Sequence, residues 1–143
     1  MRRVLILSAL SALLLAACSD EPEPEAIVAP AAMPSRVAVA QVTAVNVGVS
    51  PGGVVIAAQG VGAGEGWTDT RLLPRGLAAD GAFEFDMTAL PPAAPDPALN
   101  QRLRADLPVR RADIANAGRV RVIGARGAVE AAVPPLPAPP AGG

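Results

Sequence analysis

Between Val37 and Val49 the valines Val37, Val39, Val45, Val47 and Val49 share one parity, while Ala38, Ala40, Ala44, Asn46 and Gly48 hold the other. A period of two carried by β-branched residues predicts a strand rather than a helix. The alternation breaks at Gln41, Val42 and Thr43, so the stretch is expected either as one long strand or as two halves kinked there. Ser50-Pro51-Gly52-Gly53 is a turn signal, and Val54-Val55-Ile56-Ala57-Ala58-Gln59 follows as a second strand. A first hairpin is the simplest arrangement of the two.

Ala79-Asp80-Gly81 supplies another turn, after which Phe83, Phe85 and Met87 alternate with Glu84, Asp86 and Thr88. This is the cleanest strand pattern in the chain, with aromatic residues expected inward and acids outward. Leu103, Ala105, Leu107 and Val109 alternate in the same way with Arg102, Arg104 and Asp106. Pro108 lacks a backbone N–H and restricts that strand to a sheet edge. Arg119 and Arg121 alternate with Val120 and Val122, and Gly124-Ala125-Arg126-Gly127 turns the chain into residues 128–133, which predicts a C-terminal hairpin. No stretch sustains a helical period with caps. The expected fold is all-β, a small antiparallel β-sandwich with an immunoglobulin-like arrangement as the best single architecture.

Gly60-Val61-Gly62-Ala63-Gly64-Glu65-Gly66 superficially suggests a phosphate loop. It lacks the Gly-Lys-Ser/Thr ending of a Walker loop, and Glu65 or Trp67 stands where a dinucleotide fingerprint needs its third glycine. A flexible inter-strand loop is the reading that remains.

The chain contains no histidine, lysine or tyrosine and a single cysteine. Serine or cysteine triads using histidine, Schiff-base chemistry and histidine-ligated metals are therefore closed to this chain on its own. Glu84 and Asp86 lie two apart on one strand face, the minimum a carboxylate-based glycoside hydrolase requires. Acids on an exposed strand face that pair with Arg102, Arg104, Arg119 or Arg121 account for them more simply. No loop has the dense Asp/Asn/Gly spacing of a calcium site, so neither a metal site nor a catalytic residue is assigned. With Trp67, Phe83 and Phe85 as the only aromatics, the core is expected to be thin and its stability open to support from a partner or from self-association.

The two ends differ from the middle. Residues 18–35 interleave Asp20, Glu21, Glu23 and Glu25 with Pro22, Pro24, Pro30 and Pro34, a composition that reads as an extended acidic tether. Residues 134–143, Pro134-Pro135-Leu136-Pro137-Ala138-Pro139-Pro140-Ala141-Gly142-Gly143, predict polyproline II or disorder. Such a segment can serve as a ligand for a proline-recognising groove or touch the cell wall; a solvated tail is the simpler expectation. The domain between them, residues 36–133, holds ten arginines against nine acids, a balance that gives no basic face for nucleic acid.

Met1-Arg2-Arg3 precedes an apolar run from Val4 to Ala17 broken only by Ser8 and Ser11. A positive start and a run too short to span a bilayer as a helix (about 20 residues are needed) form a secretory signal pattern over residues 1–17. The run closes on Leu15-Ala16-Ala17-Cys18, which resembles the lipobox of bacterial lipoproteins. That resemblance implies a diacylglyceryl group on the Cys18 thiol, cleavage just before it, and acylation of the new amine. A protein with two or three acyl chains is held firmly, at ~0.8 kcal/mol per buried methylene. Ser19 rather than aspartate after the cysteine implies, by the same resemblance, the periplasmic face of the outer membrane. Apart from the covalent lipid no cofactor is expected.

Gly66-Trp67-Thr68-Asp69-Thr70-Arg71-Leu72 is the most distinctive patch of the domain, and it resembles segments in other exported bacterial proteins with β-rich bodies, a likeness that implies no activity. Trp67 with Arg71 beside it is a candidate anchor for an envelope protein partner, although Trp67 as the plug of a thin core is the expectation the composition favours. The chain is thus expected to be a lipid-anchored, non-enzymatic binding or interaction module. A structural envelope lipoprotein without a specific ligand is the alternative, and a carboxylate hydrolase the third.

Overall fold

In the computed structural model residues 35–138 are described, and they form two β-sheets packed face to face. The strands are β1 (Val37–Ala38), β2 (Gln41–Ser50), β3 (Gly53–Ala63), β4 (Thr68–Leu77), β5 (Ala82–Leu90), β6 (Asn100–Arg110), β7 (Arg119–Gly124) and β8 (Gly127–Ala132), with one helical turn, α1 (Arg111–Ile114), between β6 and β7. The all-β, two-layer fold expected from the alternation is the fold the chain adopts.

The smaller sheet has the order β2-β3-β6. Its β2–β3 hairpin turns at Ser50-Pro51-Gly52-Gly53, as expected, and Ser50 pairs with Gly53. The break in valine parity is a β-bulge: Val42 pairs with Gly60 and Ala44 with Gln59, leaving Thr43 as the extra residue. One unpaired residue flips the parity of everything beyond it. Val42 on one side of Thr43 and Val45 and Val47 on the other therefore all serve the core.

Gly60 to Ala63 are not a flexible loop. They are the last residues of β3 and pair in unbroken register with β6, Gly60 with Leu103 and Ala63 with Asn100. The missing side chain at Gly62 leaves room for the Trp67 ring to lie on the strand. β6 is an edge strand, as Pro108 requires.

In the larger sheet β5 is central. β4 pairs along one side of it; β7 and β1 share the other, β7 alongside Ala82–Asp86 and β1 alongside Thr88 and Ala89. The β7–β8 hairpin completes the sheet. The pairing of β5 with β7 is parallel, a departure from the all-antiparallel expectation. A parallel pair needs a long crossover, and here β6 and α1 supply it by passing through the opposite sheet.

β4 has no counterpart in the sequence reading. It carries register shifts between Thr68 and Arg71 and between Pro74 and Gly76, with Asp69 at φ 50° and Gly76 at φ 113°. These interruptions erase the alternation by which a strand is recognised.

The core lies between the sheets. β3 contributes Val54, Ile56 and Ala58, β5 contributes Phe85, Met87 and Ala89, β6 Leu103, Ala105 and Val109, and β7 Val120 and Val122. The inward aromatics and outward acids of β5 are as expected, and Phe85 is 1% exposed. Thin as its side chains are, the core is continuous, and Ile114 of α1 joins it. Beyond β8 the chain does not leave the body at residue 134: Leu136 is half-buried against the core, as is Val133.

Candidate functional site

Trp67 sits at the end of the sandwich where β3 ends and β4 begins. Its ring lies on Gly62, where a Cβ would come within 2.7 Å of Nε1. The indole N–H donates to the Ala63 carbonyl at 2.9 Å. Its backbone is clamped by Gln101, whose Oε1 accepts from the Trp67 N–H at 2.8 Å and whose Nε2 donates to the Trp67 carbonyl at 3.0 Å. With its ring half-buried against the core, Trp67 has the geometry of a plug.

Arg71 points elsewhere. Its side chain is 62% exposed and Nε donates to Asp69 Oδ1 at 2.7 Å. Asp69 also accepts from Arg36 Nη1 at 2.5 Å, and its own carbonyl accepts from Arg36 Nη2. Two guanidiniums, Arg71 first and Arg36 second, hold the Asp69 carboxyl below its ordinary pKa. Arg36 further donates from Nε to Thr88 Oγ1 at 3.2 Å, covering the one buried polar residue of β5. Trp67 and Arg71 therefore belong to different arrangements: a hydrogen-bonded plug and an ion-paired surface chain.

Glu84 and Asp86 are each engaged by an arginine. Arg121 Nη1 donates to Glu84 Oε1 at 2.6 Å and Arg75 Nε to Asp86 Oδ2 at 2.7 Å. Glu84, Arg121 and Glu130 stand directly opposite one another on β5, β7 and β8, and Arg121 Nε donates to Glu130 at 2.6 Å. Asp80 accepts from both Arg119 and Arg121, and these two guanidiniums, Arg121 foremost, hold its carboxyl well below the usual range. Arg121, facing Asp80, Glu84 and Glu130, is raised in turn. Arg119 Nε lies 3.3 Å from Glu130 Oε2 yet makes no hydrogen bond, so that contact is Coulombic only. The acids thus form a charge-compensated ladder on the outer face of the larger sheet. A glycosidase pair needs one acid free to carry a proton and the other to attack or activate water, and neither acid is left free of arginine here.

A concavity that could take a ligand is lined by residues that the sequence did not mark as site residues. On the side where edge strands β4 and β6 face each other, Pro74, Phe83, Phe85, Leu107, Pro108 and Val109 line an apolar recess of about 390 Å³, with Asp113 at its rim. The Phe83 and Phe85 rings lie 5.0 Å apart and tilted by 32°, within the range of favourable aromatic pairs. Pro108 was the available signal, since a proline inside a strand marks an edge. Pro74 gave no signal because β4 was not recognised as a strand.

Among the described residues no three His, Cys, Asp or Glu side chains are placed to hold a metal ion, and no helix is long and apolar enough to cross a membrane. Cys18, the lipidation candidate, lies outside the described residues. Comparison with protein-family models, curated proteins and solved structures found no match.

Proposed function

We propose that the protein is a lipid-anchored lipoprotein of the bacterial cell envelope, held by Cys18 on the periplasmic face of the outer membrane, whose β-sandwich is a non-enzymatic interaction module. The observation that carries the proposal is Leu15-Ala16-Ala17-Cys18 closing an apolar segment behind Arg2 and Arg3. Anchoring makes the only thiol a lipid carrier and explains an exported domain without a disulfide. The interaction half is supported by the apolar recess between β4 and β6, since ligand sites are concave and mostly apolar. The engagement of Glu84 and Asp86 by arginines supports a role without catalysis.

A purely structural role is the second reading, favoured by the charge-compensated ladder of the larger sheet. The test is fractionation of cells making wild type or Cys18→Ser, followed by affinity capture from membranes. Wild type in the outer-membrane fraction and Cys18→Ser in the soluble fraction is the expected result; equal membrane partitioning defeats the anchor. A captured protein lost in Pro74→Asp or Arg71→Glu supports the interaction reading, and captures identical across these variants favour the structural one.

A further inference from the structure

We propose that a cavity on the outer face of the smaller sheet binds the free C-terminal carboxylate of a peptide, with Arg102 as its cationic partner. The site is separate from the recess between β4 and β6 and does not depend on the lipid anchor. Ile56 and Ala58 of β3 and Leu103 and Ala105 of β6 point into the core, so alternation turns Gln59, Val61, Arg102 and Arg104 outward. Thr43, Gln59, Val61 and Arg102, with Gly60 and Leu103, line a cavity of about 480 Å³ there. Thr43 owes its place to the bulge. Inserted between the Val42–Gly60 and Ala44–Gln59 pairs, it adds an exposed hydroxyl while Val42 and Val45 on either side keep to the core. Bulges recur beside active sites because they re-aim a side chain in this way.

Charge selects the ligand. Of the ten arginines in residues 36–133, seven meet a carboxylate: Arg36, Arg71, Arg75, Arg104, Arg110, Arg119 and Arg121. Arg102 is exposed, meets none among the described residues, and shares its cavity with no acid. The one acid of β6, Asp106, lies four residues on, about 13 Å at ~3.3 Å per residue, and accepts from Arg104 Nε at 2.9 Å. The cavity therefore holds one uncompensated positive charge, which a monoanion matches and a dianionic phosphate does not. A guanidinium fork suits a planar carboxylate, held by two parallel N–H···O bonds.

The rest of the lining suits a peptide end better than a bare anion. Val61 stands directly opposite Arg102 in register and is half-buried, an apolar contact for a small side chain. The Gln59 amide can accept from a backbone N–H and donate to a carbonyl. Gln101 of this same chain does so to Trp67, at 2.8 Å and 3.0 Å. The Thr43 hydroxyl supplies one donor more. The volume equals about sixteen waters at ~30 Å³ each, room for roughly the last two residues of a chain.

The experiment titrates the full chain, purified from cells in detergent, with acetyl-alanyl-alanine. Nuclear magnetic resonance follows the Gln59 side-chain amide, the Val61 methyls and the Arg102 Nε–H. Expected is saturable binding with a Kd of about 1 mM for a ligand of this size. Binding should weaken by about tenfold or more for the C-terminal amide of the same peptide and in Arg102→Gln, and by a smaller factor in Thr43→Val. Unmoved Ile56 and Val120 signals in both variants report an intact fold. Absence of saturable shifts, equal binding of acid and amide, or parent-like binding by Arg102→Gln overturns the proposal. Equal midpoints with sodium acetate or inorganic phosphate make the cavity a general anion contact and overturn it as well.

Discussion

Gly62→Ala isolates the contact that seats the lone tryptophan. Gly62 lies in β3 opposite Gln101, with no positive φ, so the backbone accepts alanine and only the space above it is at issue. A Cβ there would stand 2.7 Å from Trp67 Nε1 and 2.8 Å from Cδ1 and Cε2, against an optimum of about 3.5–4.0 Å between non-bonded carbons. The ring must move by about 1 Å. It cannot do so freely, because Nε1–H is bonded to Ala63 O at 2.9 Å and the backbone is clamped by Gln101. Overpacking of this kind costs about 1–3 kcal/mol, and loss of the indole hydrogen bond adds about 1 kcal/mol. At roughly 4–8 °C per kcal/mol for a domain of this size, a fall in Tm on the order of 10 °C is expected. Trp67 is the only tryptophan, so its fluorescence reports the displacement directly, with emission shifted to longer wavelength as the ring gains water. Thermal melts and emission spectra of Gly62→Ala beside wild type make the assay. An unchanged Tm together with an unchanged emission maximum would refute the seating of Trp67 on Gly62.

Three further outcomes follow from the geometry. Phe85→Ala, at a position 1% exposed, should cost about 3–5 kcal/mol, a large part of the ~5–15 kcal/mol of an ordinary domain, and leave a protein that urea unfolds at much lower concentration. Asp69→Asn should be less damaging than Asp69→Ala in thermal melts: both remove the Arg36 and Arg71 ion pairs, but asparagine tolerates the left-handed φ of 50° and alanine does not. Folded-state Asp80 and Asp69 titrate below the unfolded aspartate value of about 3.9, so folding is favoured by their ionised forms. Their contribution is complete above that pH and lost as pH falls through the folded values; Asp80→Asn should therefore flatten the acid limb of Tm against pH, and an unchanged limb would contradict the pairing with Arg119 and Arg121.

Much of the fold was legible because burial on one face enforces alternation. Phe83, Phe85 and Met87 against Glu84, Asp86 and Thr88 announced β5, and Pro108 announced that β6 is an edge. Local irregularity concealed the rest. One extra residue, Thr43, shifted the parity of β2, and β4 was hidden by two register shifts. Gly60 to Ala63 looked like a loop because glycine is expected in loops, yet the absence of a Cβ at Gly62 makes space for the Trp67 ring. The parallel pairing of β5 with β7 depends on a crossover through the other sheet, which periodicity within single segments does not encode. The candidate site divides in the same way. That Glu84 and Asp86 pair with arginines was readable from residue type, with Arg121 one of four candidates, whereas Arg75, the partner of Asp86, was not among them because β4 was hidden. The recess needed two distant edges, β4 and β6, to meet.

The central claim is that Cys18 carries the lipid that holds this domain to the envelope, and the most direct test is the intact mass of the protein purified from membranes. The account predicts a chain beginning at Cys18, heavier than its sequence by a diacylglyceryl group and an amide-linked acyl chain, with the added mass confined to an N-terminal fragment after proteolysis. A chain of unmodified mass, or one cut after Ser19 with Cys18 removed, would contradict it.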